Sequence, residues 1–146
     1  MHAIAAAGAG FLIAVLWFDL MFDVQARGGE APPDAALASI RAYYRRVTTG
    51  ARPMNRLIPL VMLVAVAAIV AGLVLREGPW QAGALSLVAA LIGIGLALAR
   101  TVRNAVRLGG AADPPEAQVR LARRILGDHV ISLAAMTLVL VLQLAT

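Results

Sequence analysis

The chain contains no cysteine and no lysine, and only 14% of its 146 residues are charged. Without cysteine it can form no disulfide, no thiolate metal site and no thiol-dependent redox centre. A soluble domain is about 45–50% apolar, whereas 61% of these residues are hydrophobic. A soluble fold of this size could not bury so much apolar surface, and a disordered chain would be far more polar. We therefore expect an integral membrane protein, with no nucleic-acid partner despite its net charge of +5.

Four apolar, almost charge-free runs are each long enough to cross a hydrocarbon core of about 30 Å as a helix. They cover approximately residues 3–22, 57–75, 79–99 and 125–145. The runs do not alternate polar and apolar residues as transmembrane β-strands do. The sequence predicts one all-α domain over residues 1–146, folded as a transmembrane four-helix bundle in the lipid bilayer.

The basic residues, all arginine, lie almost entirely on one side of this predicted bundle. Of the 13, only Arg76 lies in the turn between the second and third spans. The others divide equally between the segments 23–56 and 100–124. Because cytoplasmic loops are enriched in basic residues, we expect these two segments in the cytoplasm and both termini outside. The expected location is the cell inner membrane, as a multi-pass protein.

A short amphipathic helix is expected within the first cytoplasmic segment, after the breaks at Gly28-Gly29 and Pro32-Pro33. Apolar residues recur there at helical spacing, at Leu37, Ile40, Tyr44 and Val47. Two alternatives stay open. The helix lies at the membrane surface with its arginines among anionic lipid phosphates, or it packs as a cap under the bundle.

Small residues at four-residue spacing predict where the spanning helices pack closely. The three sets are Ala6, Gly10 and Ala14; Ala68 and Gly72; and Ala89, Gly93 and Ala97. We interpret them as contacts within one chain, with a homodimer as the alternative.

Polar residues cluster at the cytoplasmic end of every span, whereas the outer half has almost none. They are Asp19, Asp23, Asn55, Arg56, Arg100, Asn104, Asp128 and His129. Because charged groups inside a span are costly and usually mark function, we predict a polar pocket open to the cytoplasm. In it Arg56 or Arg100 pairs with Asp19, and His129 exchanges protons near neutral pH. The alternative is that these residues only snorkel and fix helix register.

We expect no metal and no cofactor at these residues. The acidic and histidine side chains are scattered along the chain, at no spacing that a metal site demands. His2 and His129 lie at opposite ends of the bundle, so they cannot hold one haem between them.

The fourth span begins with a segment that resembles a known family signature. Asp128-His129-Val130-Ile131-Ser132-Leu133-Ala134-Ala135 is similar to the motif Asn-His-Val-x-Thr-Leu-Ala-Ala. That motif belongs to a widespread family of four-helix membrane proteins that includes the fungal anthrone oxygenases, and Asn104 matches a further asparagine of the family. The resemblance implies a four-helix bundle with a histidine-containing pocket near one face. Asp128 replaces the asparagine of the family, and a carboxylate there would change the protonation of His129.

Three functions stay open on this sequence. Because no catalytic motif is present, we expect a non-enzymatic protein that binds a hydrophobic molecule, a lipid or a partner protein at the polar pocket. One alternative, which the resemblance implies, is a cofactor-independent oxygenase-like enzyme on an aromatic substrate, with His129 as general base and Asp19 or Arg100 orienting. The other is a small proton-coupled exporter in which Asp19 alternates between protonated and substrate-bound forms.

Overall fold

The computed structural model describes residues 1–28 and 32–146, so Gly29 of the predicted chain break lies outside the described residues. The described residues form helices and short connections, with no strand among them. The helices are α1 (His2–Asp23), α2 (Asp34–Thr49), α3 (Met54–Val74), α4 (Trp80–Leu96), α5 (Val102–Gly110) and α6 (Pro115–Leu144). A 3₁₀ turn at Val24–Ala26 extends α1, and a π-helical turn at Ala97–Thr101 joins α4 to α5.

Four helical stretches are long and apolar enough to cross a membrane. They are His2–Ala26, Met54–Val74, Trp80–Gly110 and Pro115–Leu144. Each corresponds to one of the four predicted runs, and the chain is therefore a multi-pass membrane protein. The last two stretches extend well beyond those runs, so that only residues 111–114 of the predicted loop 100–124 lie outside helices.

The four stretches run in alternating directions, which gives the molecule two ends. We call the end that carries both chain termini the terminal end, and the end formed by residues 24–28, 32–53 and 100–124 the arginine-rich end. At the terminal end the amino group of Met1 lies 2.5 Å from the Glu77 carboxylate, and Thr146 Oγ1 lies 3.0 Å from His2 Nδ1. Both α1 and α4 pack against α3 and α6.

The stretch α4–α5 and the helix α6 are longer than a bilayer requires. At a rise of 1.5 Å per residue, each is about 45 Å long, whereas the hydrocarbon core is about 30 Å thick. The surplus turns project at the arginine-rich end, and α2 packs across them. Its residues Leu37, Ile40 and Tyr44 are buried against a group that includes Leu108 and Ile125. Protein rather than lipid thus covers the apolar face of α2, which favours the cap over the membrane-surface helix.

Small residues line the contacts between the spanning helices. Five of the predicted positions are buried, namely Ala6, Ala68, Gly72, Ala89 and Gly93. On α1 the prediction is partly wrong, because Ala14 is exposed and a Cβ at Gly10 would meet open space. The buried small residues of α1 are Ala5, Ala6, Gly8 and Ala9, of which Ala6 was predicted. In an alanine-rich helix several faces carry small residues at this spacing, so spacing alone does not select the face.

Gly109 allows α5 to approach α2 closely. A Cβ at this position would lie 2.7 Å from the backbone nitrogen and 2.9 Å from the Cα of Arg45, whereas one at Gly110 would meet nothing within 4 Å. We predict that Gly109→Ala lowers the Tm of the detergent-solubilised protein, with an overpacking cost of about 1–3 kcal/mol, because two backbones must separate. Gly110→Ala is the matched control and should not lower the Tm. Equal Tm values for the two variants would contradict this close approach.

Candidate functional site

The polar residues near the arginine-rich ends of α1 and α6 face each other between two apolar cores. One core lies among the spanning helices and includes Leu12 and Met136. The other lies under α2 and includes Leu121 and Ile125. His129 occupies α6 between Ile125 and Met136, so both cores help to exclude water from it.

His129 is buried between two carboxylates of α1. Its Nδ1 lies 2.6 Å from Asp23 Oδ2, and its Nε2 lies 3.8 Å from Asp19 Oδ2. Since a carboxylate accepts, the shorter contact assigns the proton to Nδ1. In the neutral imidazole, Nε2 then carries a lone pair on the side of Asp19. Asp19, Asp23 and His129 were predicted to share one site, and the structure brings them together.

Two adjacent tyrosines of α2 complete this group. The Tyr43 hydroxyl donates to Asp19 Oδ1 at 2.5 Å, and the Tyr44 hydroxyl donates to Asp23 Oδ1 at 2.6 Å. We call Asp19, Asp23, Tyr43, Tyr44 and His129 the acid–histidine cluster. The two hydroxyls were not among the site residues predicted from the sequence, although Tyr44 was predicted on the apolar face of α2. The available signal was that a buried tyrosine usually needs a hydrogen-bond partner.

Asp128 forms an ion pair with Arg100 rather than with a residue of α1. Arg100 Nε donates to Asp128 Oδ2 at 3.0 Å, a second guanidinium nitrogen donates to Oδ1, and Thr101 Oγ1 adds a bond of 3.2 Å. Arg100 and Thr101 both lie in the π-helical turn, a feature frequent at functional sites. The expected pairing of Arg100 with Asp19 is wrong, because Asp128, which precedes His129, faces α4–α5 and binds Arg100. The carboxylates in contact with His129 come from α1.

Three other predicted site residues lie apart from the acid–histidine cluster. Asn55 and Arg56 are exposed on the first turn of α3. The expected pair between Arg56 and Asp19 is therefore wrong, since Asp19 bonds to a tyrosine of α2. Asn104 is buried on α5, and its Nδ2 has no hydrogen-bond partner among the described residues.

A cavity of about 170 Å³ adjoins the acid–histidine cluster. Most of its wall is aliphatic, with contributions from Leu12, Leu16, Ile58, Met62, Ile94 and Met136. Asp19, Tyr44 and His129 line it too, together with the hydroxyl side chains Thr48, Thr101 and Ser132. The cavity thus combines an apolar wall with buried ionisable groups. Asn104, which was expected there, does not line it.

A second polar network lies at the terminal end, where the sequence analysis expected almost no polar groups. His2 Nε2 lies 3.0 Å from the Glu77 carbonyl oxygen, and Nδ1 lies 3.0 Å from Gln143 Oε1. The side-chain amide nitrogen of Gln143 donates to Ser86 Oγ at 2.9 Å. The network therefore joins α1, α4 and α6. The members come from three different spans, and only the packing shows that they meet.

A metal ion has no evident place in the described parts of the chain. Within residues 1–28 and 32–146, no group of three or more His, Asp or Glu side chains is arranged to hold one.

Comparisons with known proteins supply no relative. No family model matches the chain, no curated protein matches it, and no solved structure matches it. The resemblance to the family of the anthrone oxygenases stays a prediction, and function has to be argued from the geometry of the site.

The two tyrosine hydroxyls allow a test of the cluster from outside the membrane-spanning helices. Burial and the nearby carboxylates of α1 raise the pKa of Tyr43 and Tyr44 above the usual value of about 10. These are the 2 tyrosines of the chain, so tyrosinate absorbance at 295 nm reports them alone. We predict little tyrosinate in the folded protein at about pH 11, one unit above the usual value. Denaturation at that pH should give the full tyrosinate absorbance of both residues.

The same shift makes stability depend on pH. Above about pH 10 the unfolded tyrosines lose their protons while the folded ones keep them, so the free energy of unfolding falls as the pH rises. Tyr43→Phe and Tyr44→Phe each remove half of the denatured signal and assign it. A native protein that titrates at the usual pKa would contradict the contacts with Asp19 and Asp23.

Proposed function

We propose that this membrane protein binds a hydrophobic small molecule in the cavity, with the polar end of the molecule at Asp19 and His129. The supporting observation is that one cavity has both a largely aliphatic wall and two ionisable side chains, Asp19 and His129, that are largely shielded from solvent. Ligand sites typically combine apolar lining with a few placed polar groups. Ionisable residues inside membrane-spanning helices usually mark function, because burying them has a cost.

The arginines support a placement in the membrane. We infer that the arginine-rich end faces the cytoplasm, as basic residues prefer that side, and that both termini lie outside. The four long helices then form a bundle across the inner membrane, and the cavity lies in its cytoplasmic half. The acid–histidine cluster adjoins the cavity and includes two tyrosines of α2, the helix that covers the bundle from the cytoplasm.

Filling the cavity tests the proposed function. Ala97 lines the cavity, whereas Ala99 in the same π-helical turn is exposed and does not. With the full chain in phosphatidylcholine nanodiscs, we expect saturable binding of 1-naphthylmethanol by isothermal titration calorimetry, after subtraction of empty nanodiscs. Ala97→Phe should weaken this binding by about tenfold or more, the equivalent of a steric cost of about 1.4 kcal/mol. Ala99→Phe introduces the same side chain outside the cavity and should leave the affinity unchanged.

Two outcomes would contradict the proposal. One is the absence of saturable binding by the wild-type chain. The other is an equal affinity of both phenylalanine variants, which would place the ligand elsewhere.

The orientation of His129 favours a second candidate function, which is general-base catalysis on an aromatic ligand. Asp23 accepts the Nδ1 proton at 2.6 Å, and this leaves the Nε2 of a neutral imidazole on the ligand side. A carboxylate that fixes the tautomer in this way is the usual partner of a catalytic histidine. His129 would then take a phenolic or an activated carbon-bound proton from the bound molecule. The resemblance to the anthrone oxygenases implies the same role for this residue.

Proton exchange tests this second function. In D₂O, we expect the nanodisc-embedded chain to accelerate exchange of the acidic methylene protons of anthrone by about 10²–10⁴-fold over empty nanodiscs, as measured by mass spectrometry. His129→Asn keeps a donor toward Asp23, removes the base and should abolish the acceleration. His2→Asn changes the other histidine, at the terminal end, and should retain it. If the chain binds anthrone without accelerating exchange, binding stands and catalysis is rejected.

A further inference from the structure

The hydroxyl groups that line the cavity all donate within the protein. The bonds run from Tyr44 to the Asp23 carboxylate at 2.6 Å, from Thr48 to the Tyr44 carbonyl at 2.7 Å, and from Ser132 to the Gly93 carbonyl at 3.3 Å. Thr101 has two acceptors at 3.2 Å, the Leu96 carbonyl and the Asp128 carboxylate. A hydroxyl has one proton, so these four side chains keep only acceptor lone pairs for a ligand.

The two ionisable groups of the lining also present acceptors. Tyr43 bonds to Oδ1 of Asp19 and leaves Oδ2 on the side of His129. The Nε2 lone pair of neutral His129 lies 3.8 Å from that oxygen. Among the described residues, no Lys, Arg, Asn, Gln or Trp side chain lines this cavity. When His129 is neutral, a ligand therefore meets a carboxylate and an imidazole lone pair, and no side-chain donor among the described residues.

We propose that the cavity takes an organic ammonium ion, a hydrophobic amine whose charged nitrogen lies between Asp19 Oδ2 and His129 Nε2. The proposal rests on the ligand-binding function above and names the head group. A nitrogen about 2.8 Å from each acceptor can donate one N–H to each across their 3.8 Å separation. Hydrogen bonds from a cation to a carboxylate are shorter and stronger than those between neutral groups.

The charges around the cavity favour the same choice. His129 faces Asp19 and Asp23 of α1, whose other oxygens accept from the neutral hydroxyls of Tyr43 and Tyr44 of α2. Asp128 precedes it on α6 and is held in an ion pair with Arg100. When His129 is neutral, its imidazole supplies no positive charge to the two carboxylates of α1 beside it. A ligand carboxylate would face two like charges without a donor, and an alcohol would gain a hydrogen bond without charge compensation.

A matched ligand series tests the head group. The full chain in phosphatidylcholine nanodiscs is titrated at about pH 8 with 1-naphthylmethylamine, 1-naphthylmethanol and 1-naphthoate, and empty nanodiscs are subtracted. The amine should bind at least about tenfold more tightly than the alcohol, and the naphthoate more weakly than both. Asp19→Asn should reduce the affinity for the amine to that for the alcohol. Glu77→Gln removes a carboxylate at the terminal end and should keep the preference.

The outcomes separate the head group from the binding function. Equal binding of amine and alcohol, tighter binding of naphthoate, or an amine preference that survives Asp19→Asn would overturn the ammonium site while the ligand-binding function stands. If no member of the series binds saturably, both proposals fail. The comparison of the three ligands on the wild-type chain decides the question alone if Asp19→Asn does not fold.

Discussion

The hydrogen bond between His129 and Asp23 is the interaction on which the arginine-rich end of the molecule depends. Asp23 has no exposed surface, and a carboxylate so deeply buried is stable only with polar partners. It has two, the imidazole of α6 and the Tyr44 hydroxyl of α2. Loss of either partner would leave this carboxylate incompletely bonded. The three helices are therefore ordered together, and α2 is held in place by polar bonds as well as by its apolar face.

The acid–histidine cluster owes its burial to two cores of different construction. Among the spanning helices the core is rich in small residues such as Ala5, Ala9 and Ala89, because association in lipid relies on close backbone approach. Under α2 it contains larger side chains such as Ile40 and Leu108, because burial of apolar area drives packing where water is the solvent. The second core exists because α4–α5 and α6 are longer than the bilayer is thick. Asp23 lies at the junction of the two cores, and among the described residues no charged group is more completely shielded from water.

Depth along a helix could be predicted from the sequence, whereas direction around its axis could not. The apolar runs fix where each span lies, and counting residues places Asp19, Asp23 and His129 near one level. Which side chains pair depends on how each helix is rotated and on what packs beside it. Arg100 was a plausible partner for Asp19, yet it binds Asp128, and the hydroxyls that reach α1 come from a helix outside the four spans. Asn55 and Arg56 lie at the right level but on exposed parts of α3.

Two aspartates one helical turn apart have acquired different roles through their surroundings. Both oxygens of Asp23 accept hydrogen bonds, Oδ1 from Tyr44 and Oδ2 from His129. Asp23 therefore serves to hold the fold together. Asp19 accepts the Tyr43 hydrogen bond through Oδ1, and its Oδ2 lies 3.8 Å from His129 Nε2. Both Asp19 and His129 line the cavity. Since the hydroxyls of the lining are also satisfied, the cavity needs no ligand to complete its hydrogen bonds. The unused capacity of the two ionisable groups, Asp19 and His129, lies at one carboxylate oxygen and one ring nitrogen, and this pair is what would orient a bound molecule.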